Sequence, residues 1–387
     1  MSKWVDNLIE KLRTLKSNTD QSTKYDLVEI NTMVDKIHWV ELTEIEKLFE
    51  IIPQWEKLIQ TQTISEIFNS TSWITSWLET FWQDNWQLKT LTAWCNNELI
   101  AIIPLYLQRP NSVFSFNTLY PLGQGEKEEQ EISSEYTDML IKSEFQESLY
   151  PKIRQWIKSL NAEQLVWRAL VYNSPTKSIL MNIRQQKNSS ELTRYLVDGT
   201  NWSPKRLSKN MRSRYRRGLN QLQTLNAKID WVAKKDFDHY WQLMKGFHQQ
   251  RWLGKNKKGA FYSDEFNSFH ADFRKASPEN IAMSAIWVKN TPIAIHYYFS
   301  DTTTLYFYQS GWNESEYSHL SPGLILHLWT IENNNKLYYD FMMGKKHDSY
   351  KAKFATQQQP MYNIVITFSP IKLMIYRALK KLKLVSC

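Results

Sequence analysis

Three strand-like runs, 281–288, 292–300 and 304–309, follow one another with only Asn290-Thr291 and Asp301-Thr302 between them as turns. An apolar helix over 322–332 and a buried strand over 337–341 come next, and 361–368 reads as a last strand. Upstream, much the same order occurs once already. A helix over 72–82 sets Trp73, Trp77 and Phe81 on one face, and strands over 88–95 and 98–107 flank an Asn96-Asn97 turn. A strand over 136–141, a helix over 144–160 and a strand over 164–170 complete that half. The pattern commits the chain to an α+β fold built twice. Neither half has the short parallel rhythm of a dinucleotide-binding fold, and no GxGxxG occurs.

The 387 residues suffice for two sizeable cores, and 17 Trp, 20 Tyr and 17 Phe offer much area to bury in them. Residues 1–62 read as an N-terminal helical extension, with helical spacing over 3–16 and again over 43–60, where Pro53 restarts the helix. The first repeat is placed at 63–190, the second at 191–369, and a basic amphipathic helix at 370–387. Residues 171–200 read as a poorly patterned bridge, and the acidic run 126–135 as a solvated loop. With only Cys95 and Cys387, a disulfide framework and a thiolate metal site are excluded; Cys95 reads as a buried, inert thiol. No stretch of 18 apolar residues occurs, and the first residues lack the apolar core of a signal peptide. The expectation is a cytoplasmic protein, with peripheral attachment to the inner face of the membrane left open.

The net charge of +9 is unevenly placed. Lys205, Arg206, Lys209, Arg212, Arg214, Arg216 and Arg217 form one patch without an acid, on a helix expected to start at Ser203-Pro204. Lys372, Arg377, Lys380, Lys381 and Lys383 form a second. The two patches exceed the whole net charge, so the rest of the chain is slightly acidic and the isoelectric point alone says little. The first patch suits an anionic ligand or surface, or open solvent. Nucleic acid is disfavoured, because that helix has its own apolar stripe and no nucleic-acid module surrounds it. The tail suits either an anionic bilayer or its own domain.

The sharpest local arrangement lies at 305–332. Ser321 can cap the helix that follows, Pro322 suits its first turn, and Gly323 lets another group come close. Free amides there, reinforced by the helix dipole, hold a phosphate or pyrophosphate; a plain capped helix accounts for the same residues. Asp340 is a charge in a largely apolar strand, so it must be paired or face an open cleft, with Lys345 and Lys351 the nearby cations. His248 has a pKa suited to proton transfer, yet it stands four residues after Met244 on an apolar face, where a core histidine also fits. Arg251 either holds an acidic substrate or solvates a helix end. His296 and His327 read as packing residues. No HExxH or other ligand spacing occurs, so no metal site is expected.

Several of these segments together resemble the CelD/BcsL-like acetyltransferase family of the GNAT (acyl-CoA N-acyltransferase) superfamily. They are Phe247-His248-Gln249-Gln250-Arg251-Trp252, Pro292-Ile293-Ala294, Tyr308-Gln309-Ser310-Gly311-Trp312, Leu320-Ser321-Pro322-Gly323, and Tyr339-Asp340-Phe341 with Gly344 and Tyr350-Lys351. Ser72-Trp73 and Ile103-Pro104-Leu105 extend the likeness into the first half. The family is similar to the FemAB-type transferases in carrying two GNAT-like halves, which implies tandem GNAT-like domains with mixed central sheets.

The resemblance implies acetyl-CoA or another acyl-CoA as donor, its pantetheine along a splayed strand at 306–311 and its pyrophosphate at 319–323. On that basis Tyr308, Gln309, Ser310, Ser321, Gly323, Leu324 and Lys351 are the cofactor-binding candidates. Arg251, Trp252 and Tyr350 are the substrate-binding candidates, and Asp340 and His248 the candidate bases. The implied reaction moves an acyl group to an amine or hydroxyl of a small-molecule, glycan or lipid-linked acceptor in polysaccharide or cell-envelope metabolism. The alternative is a non-catalytic accessory protein that contacts an anionic glycan, membrane or nucleic acid through its basic helix.

Overall fold

The structure is a computed structural model that describes residues 37–62, 67–110, 115–253, 259–344 and 350–381, without the side chains of Lys380 and Lys381. The expected helix over 3–16, the loop 254–258, Lys345, Lys383 and Cys387 lie outside these residues. The described residues from His38 onward make one compact unit.

The chain begins with β1 (His38–Leu42), α1 (Ile45–Glu50), α2 (Ile52–Ile59) and α3 (Thr71–Phe81). There follow β2 (Gln87–Cys95), β3 (Glu98–Gln108), β4 (Thr118–Pro121), β5 (Leu140–Ile141), α4 (Gln146–Ser159), β6 (Gln164–Val171), α5 (Pro175–Met181) and β7 (Gln186–Asp198). The second half holds α6 (Lys209–Thr224), β8 (Lys228–Trp231), α7 (Phe237–Leu253), α8 (Asp264–Ala276), β9 (Ile281–Val288), β10 (Thr291–Ser300) and β11 (Thr304–Trp312). It closes with α9 (Glu314–Tyr317), α10 (Pro322–Asn333), β12 (Tyr338–Gly344), β13 (Gln357–Thr367) and α11 (Pro370–Lys381).

All thirteen strands among the described residues belong to one sheet in the order β1-β2-β3-β4-β6-β13-β7-β12-β11-β10-β9-β8, with β5 on β3. Each half is an antiparallel series that ends in one parallel pair with a helix in its crossover: β4 with β6 across α4, and β11 with β12 across α10. The expected repeat is therefore present in the fold. Left-handed turns close the hairpins, Asn96 and Asn97 (φ 50° and 63°) between β2 and β3, and Lys289 and Asn290 (φ 49° and 64°) between β9 and β10. The second turn lies one residue ahead of its expected place.

The aromatic side chains join the halves. Trp73 on α3 is fully buried, with ring centroids 4.7 Å from Phe269, 5.0 Å from Phe273 and 5.1 Å from Phe299. Phe68 continues the cluster to Tyr136 and Tyr306. Edge-on contacts of this kind bury large apolar area and fix relative orientation. β13 ties the halves at backbone level, because it pairs antiparallel with β6 on one side and with β7 along its whole length on the other.

Three local expectations are corrected. Residues 171–200 are not a bridge but contain α5 and the thirteen-residue β7; most of the first part of β7 is exposed, which erases the apolar alternation that marks a strand. The basic helix begins at Lys209, not at Ser203. Ser203 caps only a short turn at Pro204–Arg206, and the Ser208 hydroxyl accepts from Met211 N at 3.3 Å to cap α6. The acidic run is solvated only in part, since Glu128 and Glu129 are exposed but Glu126 and Glu135 are buried.

Candidate acyl-transfer site

β11 pairs with β12 at only three positions, Thr304 with Tyr338, Leu305 with Tyr339 and Tyr306 with Asp340. Beyond Tyr306 the strands diverge, and that edge of β11 has no ladder partner. Divergence is reinforced on β12, where Met342 adopts a left-handed φ of 61° and the register with β7 shifts between Asp340 and Met343. A non-glycine residue in this region is costly and must be held by its surroundings; here the Asp340 carboxylate accepts from Met342 N at 2.7 Å.

Along the unpaired stretch of β11 runs a cavity of about 560 Å³. Phe307, Tyr308, Gln309 and Ser310 form one wall, Ser321, Pro322, Gly323 and Leu324 at the start of α10 another, and Tyr350, Lys353 and Phe354 a third. Arg214 of α6 and Arg251 of α7 also line it. Of the residues singled out in the sequence, Tyr308, Gln309, Ser310, Ser321, Gly323, Leu324, Arg251 and Tyr350 thus meet in one place. Size and lining suit an elongated, partly apolar ligand with an anionic end.

The start of α10 differs from the expected cap. Ser321 sits at φ 58° and its side chain caps nothing; instead its hydroxyl accepts from Arg214 Nε at 2.6 Å. Twelve residues of helix therefore begin without a side-chain cap, beside a guanidinium. A Cβ on Gly323 would touch only the Trp312 ring, at 3.8 Å, so the first turn is approachable. Arg251 lies over that ring at 4.1 Å and reaches Glu314 at 3.7 Å.

Two residues read as packing groups line the cavity as well. His296 opposes Ser310 across the β10–β11 ladder, and His327 stands one turn beyond Gly323 on α10. Their rings are 4.5 Å apart, and His327 Nδ1 is 2.7 Å from the Tyr339 hydroxyl. Burial drives the His296 pKa down to about 3 and lowers that of His327 well below the ordinary range, so both rings are neutral at pH 7. Only their placement beside the splay distinguishes them from core histidines, and no sequence spacing signals it.

The two candidate bases lie elsewhere. Asp340 is fully buried and does not line the cavity; its Oδ2 accepts from Arg194 at 2.7 Å. Its partner is thus Arg194 of β7; of the two expected lysines, Lys345 lies outside the described residues. Burial works against the Arg194 charge, but Asp340 together with Tyr136 and Tyr306 holds the guanidinium pKa above its ordinary value. His248 is buried outside the cavity, where Trp252 Nε1 donates to its Nε2 at 2.8 Å; burial and then Arg251 lower its pKa to about 4. Trp252 does not line the cavity either. Lys351 donates from Nζ to the Met343 carbonyl at 2.6 Å, and burial lowers its pKa against the pull of Glu135 and Asp340.

Sequence reasoning missed Glu135. It is buried, its Oε2 accepts from Met343 N at 2.8 Å on diverging β12, and it lines a second cavity of about 330 Å³ with Glu126, Arg168 and Met343. Burial raises its pKa to about 7, against the opposing effect of Lys351.

Comparison with known proteins agrees with this geometry. No curated protein sequence matches the chain. The structure of FemX superposes with a TM-score of 0.59 over 88% of this chain and 100% of FemX, at 9% identity. A C-terminal domain described as that of a lysylphosphatidylglycerol synthetase from Agrobacterium fabrum gives 0.50 over 86% of this chain and 96% of that one, also at 9% identity. At such identity these likenesses concern the fold alone. Residues 209–352, which hold the splay and most of the cavity lining, match the family model described as an acetyltransferase (GNAT) domain. The chain is an α+β protein of two similarly ordered halves, and the second contains the segment that matches the acetyltransferase (GNAT) domain model.

Proposed function

We propose that the protein is an acyltransferase that draws an acyl group from a CoA thioester and passes it to an amine or hydroxyl. The observation that carries this reading is the cavity along unpaired β11, which ends at an uncapped helix start flanked by Arg214. These residues fit an acyl-CoA: apolar Phe307, Leu324 and Phe354 for an arm, and Arg214, Arg251 and Lys353 for phosphates. Bound acyl-CoA supplies an activated thioester carbonyl.

The protein's own groups do the rest. The free edge of β11 orients a carbonyl through its backbone and supplies N–H groups to an oxyanion. The apolar and aromatic lining excludes water. Glu135, rather than Asp340 or His248, takes the acceptor's proton, because its pKa near 7 leaves a useful fraction ionised at neutral pH. The polar cavity beside Glu135 receives the acceptor. The acceptor is proposed to come from the cell envelope, as the resemblance of the sequence implies. The cytoplasm, where acyl-CoA is made, remains the proposed site of action.

Native mass spectrometry with a panel of acyl-CoA thioesters tests the reading. A one-to-one adduct that weakens in Arg214→Glu is expected; no adduct with any thioester overturns it. A second reading, accessory binding of an anionic polymer, is favoured by the exposed Lys205, Arg206, Lys209, Arg216 and Arg217 beside the cavity. It predicts salt-sensitive polymer retention with no turnover.

A further inference from the structure

α11 presents an unusual face. Its inner side is fastened to the first half: Lys372 Nζ donates to Glu163 at 2.8 Å and to the Ser115 carbonyl at 2.8 Å, and Tyr376 meets the Phe116 ring edge-on at 5.7 Å. The other side is apolar and open. Ile371, Met374 and Ile375 are 71%, 69% and 52% exposed, and Ala378 is exposed too. These four stand at i, i+3, i+4 and i+7, one continuous stripe on a helix. The docked side explains why the helix is held, so its open stripe is not a by-product of loose packing.

The charge around the stripe selects its partner. Arg377 is exposed beside it, Lys380, Lys381 and Lys383 follow in sequence, and residues 370–387 contain no acid. Apolar side chains flanked only by cations complement an anionic lipid surface, where the side chains enter the interface and the cations meet headgroups. No helix among the described residues is long and apolar enough to cross a membrane, so attachment is to one surface. β13 runs antiparallel to β7, as does β12, and β12 is parallel to β11. Hence α11 leaves the sheet at the same end toward which β11 and β12 splay.

We propose that the exposed Ile371–Met374–Ile375–Ala378 stripe of α11 docks the protein on an anionic lipid bilayer. The proposal stands apart from the acyl-CoA reading and does not need it. Flotation of the full chain with vesicles of phosphatidylcholine alone, or with a third phosphatidylglycerol, tests it. Binding to the anionic vesicles that weakens with salt and falls about tenfold or more in Met374→Glu/Ile375→Glu is the expected result. Arg377→Glu should weaken binding less, and its unfolding curve should match the parent's because the residue is exposed. Absence of binding at low salt, or binding unchanged in the double variant, overturns the proposal. So does a stripe-dependent dimer, seen by light scattering, without vesicle binding. Adduct formation with acyl-CoA should be the same in the double variant and the parent, which separates failure here from failure of the acyl-transfer reading.

Discussion

Glu135 and Asp340 show how neighbouring carboxylates take opposite parts. Asp340 is matched by Arg194 and locked to the backbone of Met342, whereas Glu135 is buried with its pKa near 7. Replacing Glu135 with Gln should lower kcat by roughly 10²–10⁴-fold and remove a rising limb centred near pH 7 from the pH–rate profile. The profile rises with pH because the ionised form is the base. Asp340→Ala leaves a buried guanidinium without its partner and should cost about 3–5 kcal/mol of stability, measured by denaturant unfolding. In the sequence Asp340 was visible as a charge in an apolar strand, and pairing was one of its two expected fates. Its partner is 146 residues away in β7, so no local spacing could name it. Glu135 was hidden among other acids, and only tertiary burial sets it apart.

At the scale of elements, the residues that line the cavity were legible because β11 and the start of α10 are nearly contiguous in sequence. The Ser-Pro-Gly signal at 321–323 correctly marked a helix start, but the Ser321 hydroxyl serves Arg214 rather than the helix. A cap is a local property and was read locally; the competing guanidinium arrives from α6. Gly311 has a similar explanation. A Cβ there would run into the Met244 carbonyl of α7 and within 3.0 Å of Phe247, so only glycine lets that helix lie on β11. Gly311→Ala should destabilise the protein by about 1–3 kcal/mol, seen in its denaturant midpoint. β7 was missed for the opposite reason, since much of its first part faces solvent and its partners β12 and β13 lie far away in sequence.

At the scale of the molecule, β13 and the aromatic cluster around Trp73 make the described halves one cooperative unit, and a single unfolding transition is expected in calorimetry. Its pH dependence follows from the buried groups. Burial raises Glu126 and Glu135 from 4.5 to about 7, so the native state holds protons that the unfolded chain releases, and stability falls as pH rises toward 7. Burial lowers His248 to about 4 and His296 to about 3, so the unfolded chain binds protons first, and stability falls as pH drops below 6.5. The two effects oppose each other between 4.5 and 6.5. Below 4.5 the two carboxyls are protonated in both states while His296 still resists its proton, so the Tm should fall from pH 4.5 to about 3.5. The repeat and the α+β class were legible because periodicity survives in the strands that face a core; the cavity was expected only through the family resemblance, since no periodicity marks where β11 and β12 part. That gap is where the account is most exposed to test. Titrating the protein with acetyl-CoA while following Tm should give a saturable rise of several degrees, by mass action on the native state. Gly323→Trp, which fills the approach to α10, should abolish the rise while the unliganded Tm stays close to the parent's. No rise for the parent with any acyl-CoA, or an equal rise in Gly323→Trp, would contradict the acyl-CoA site.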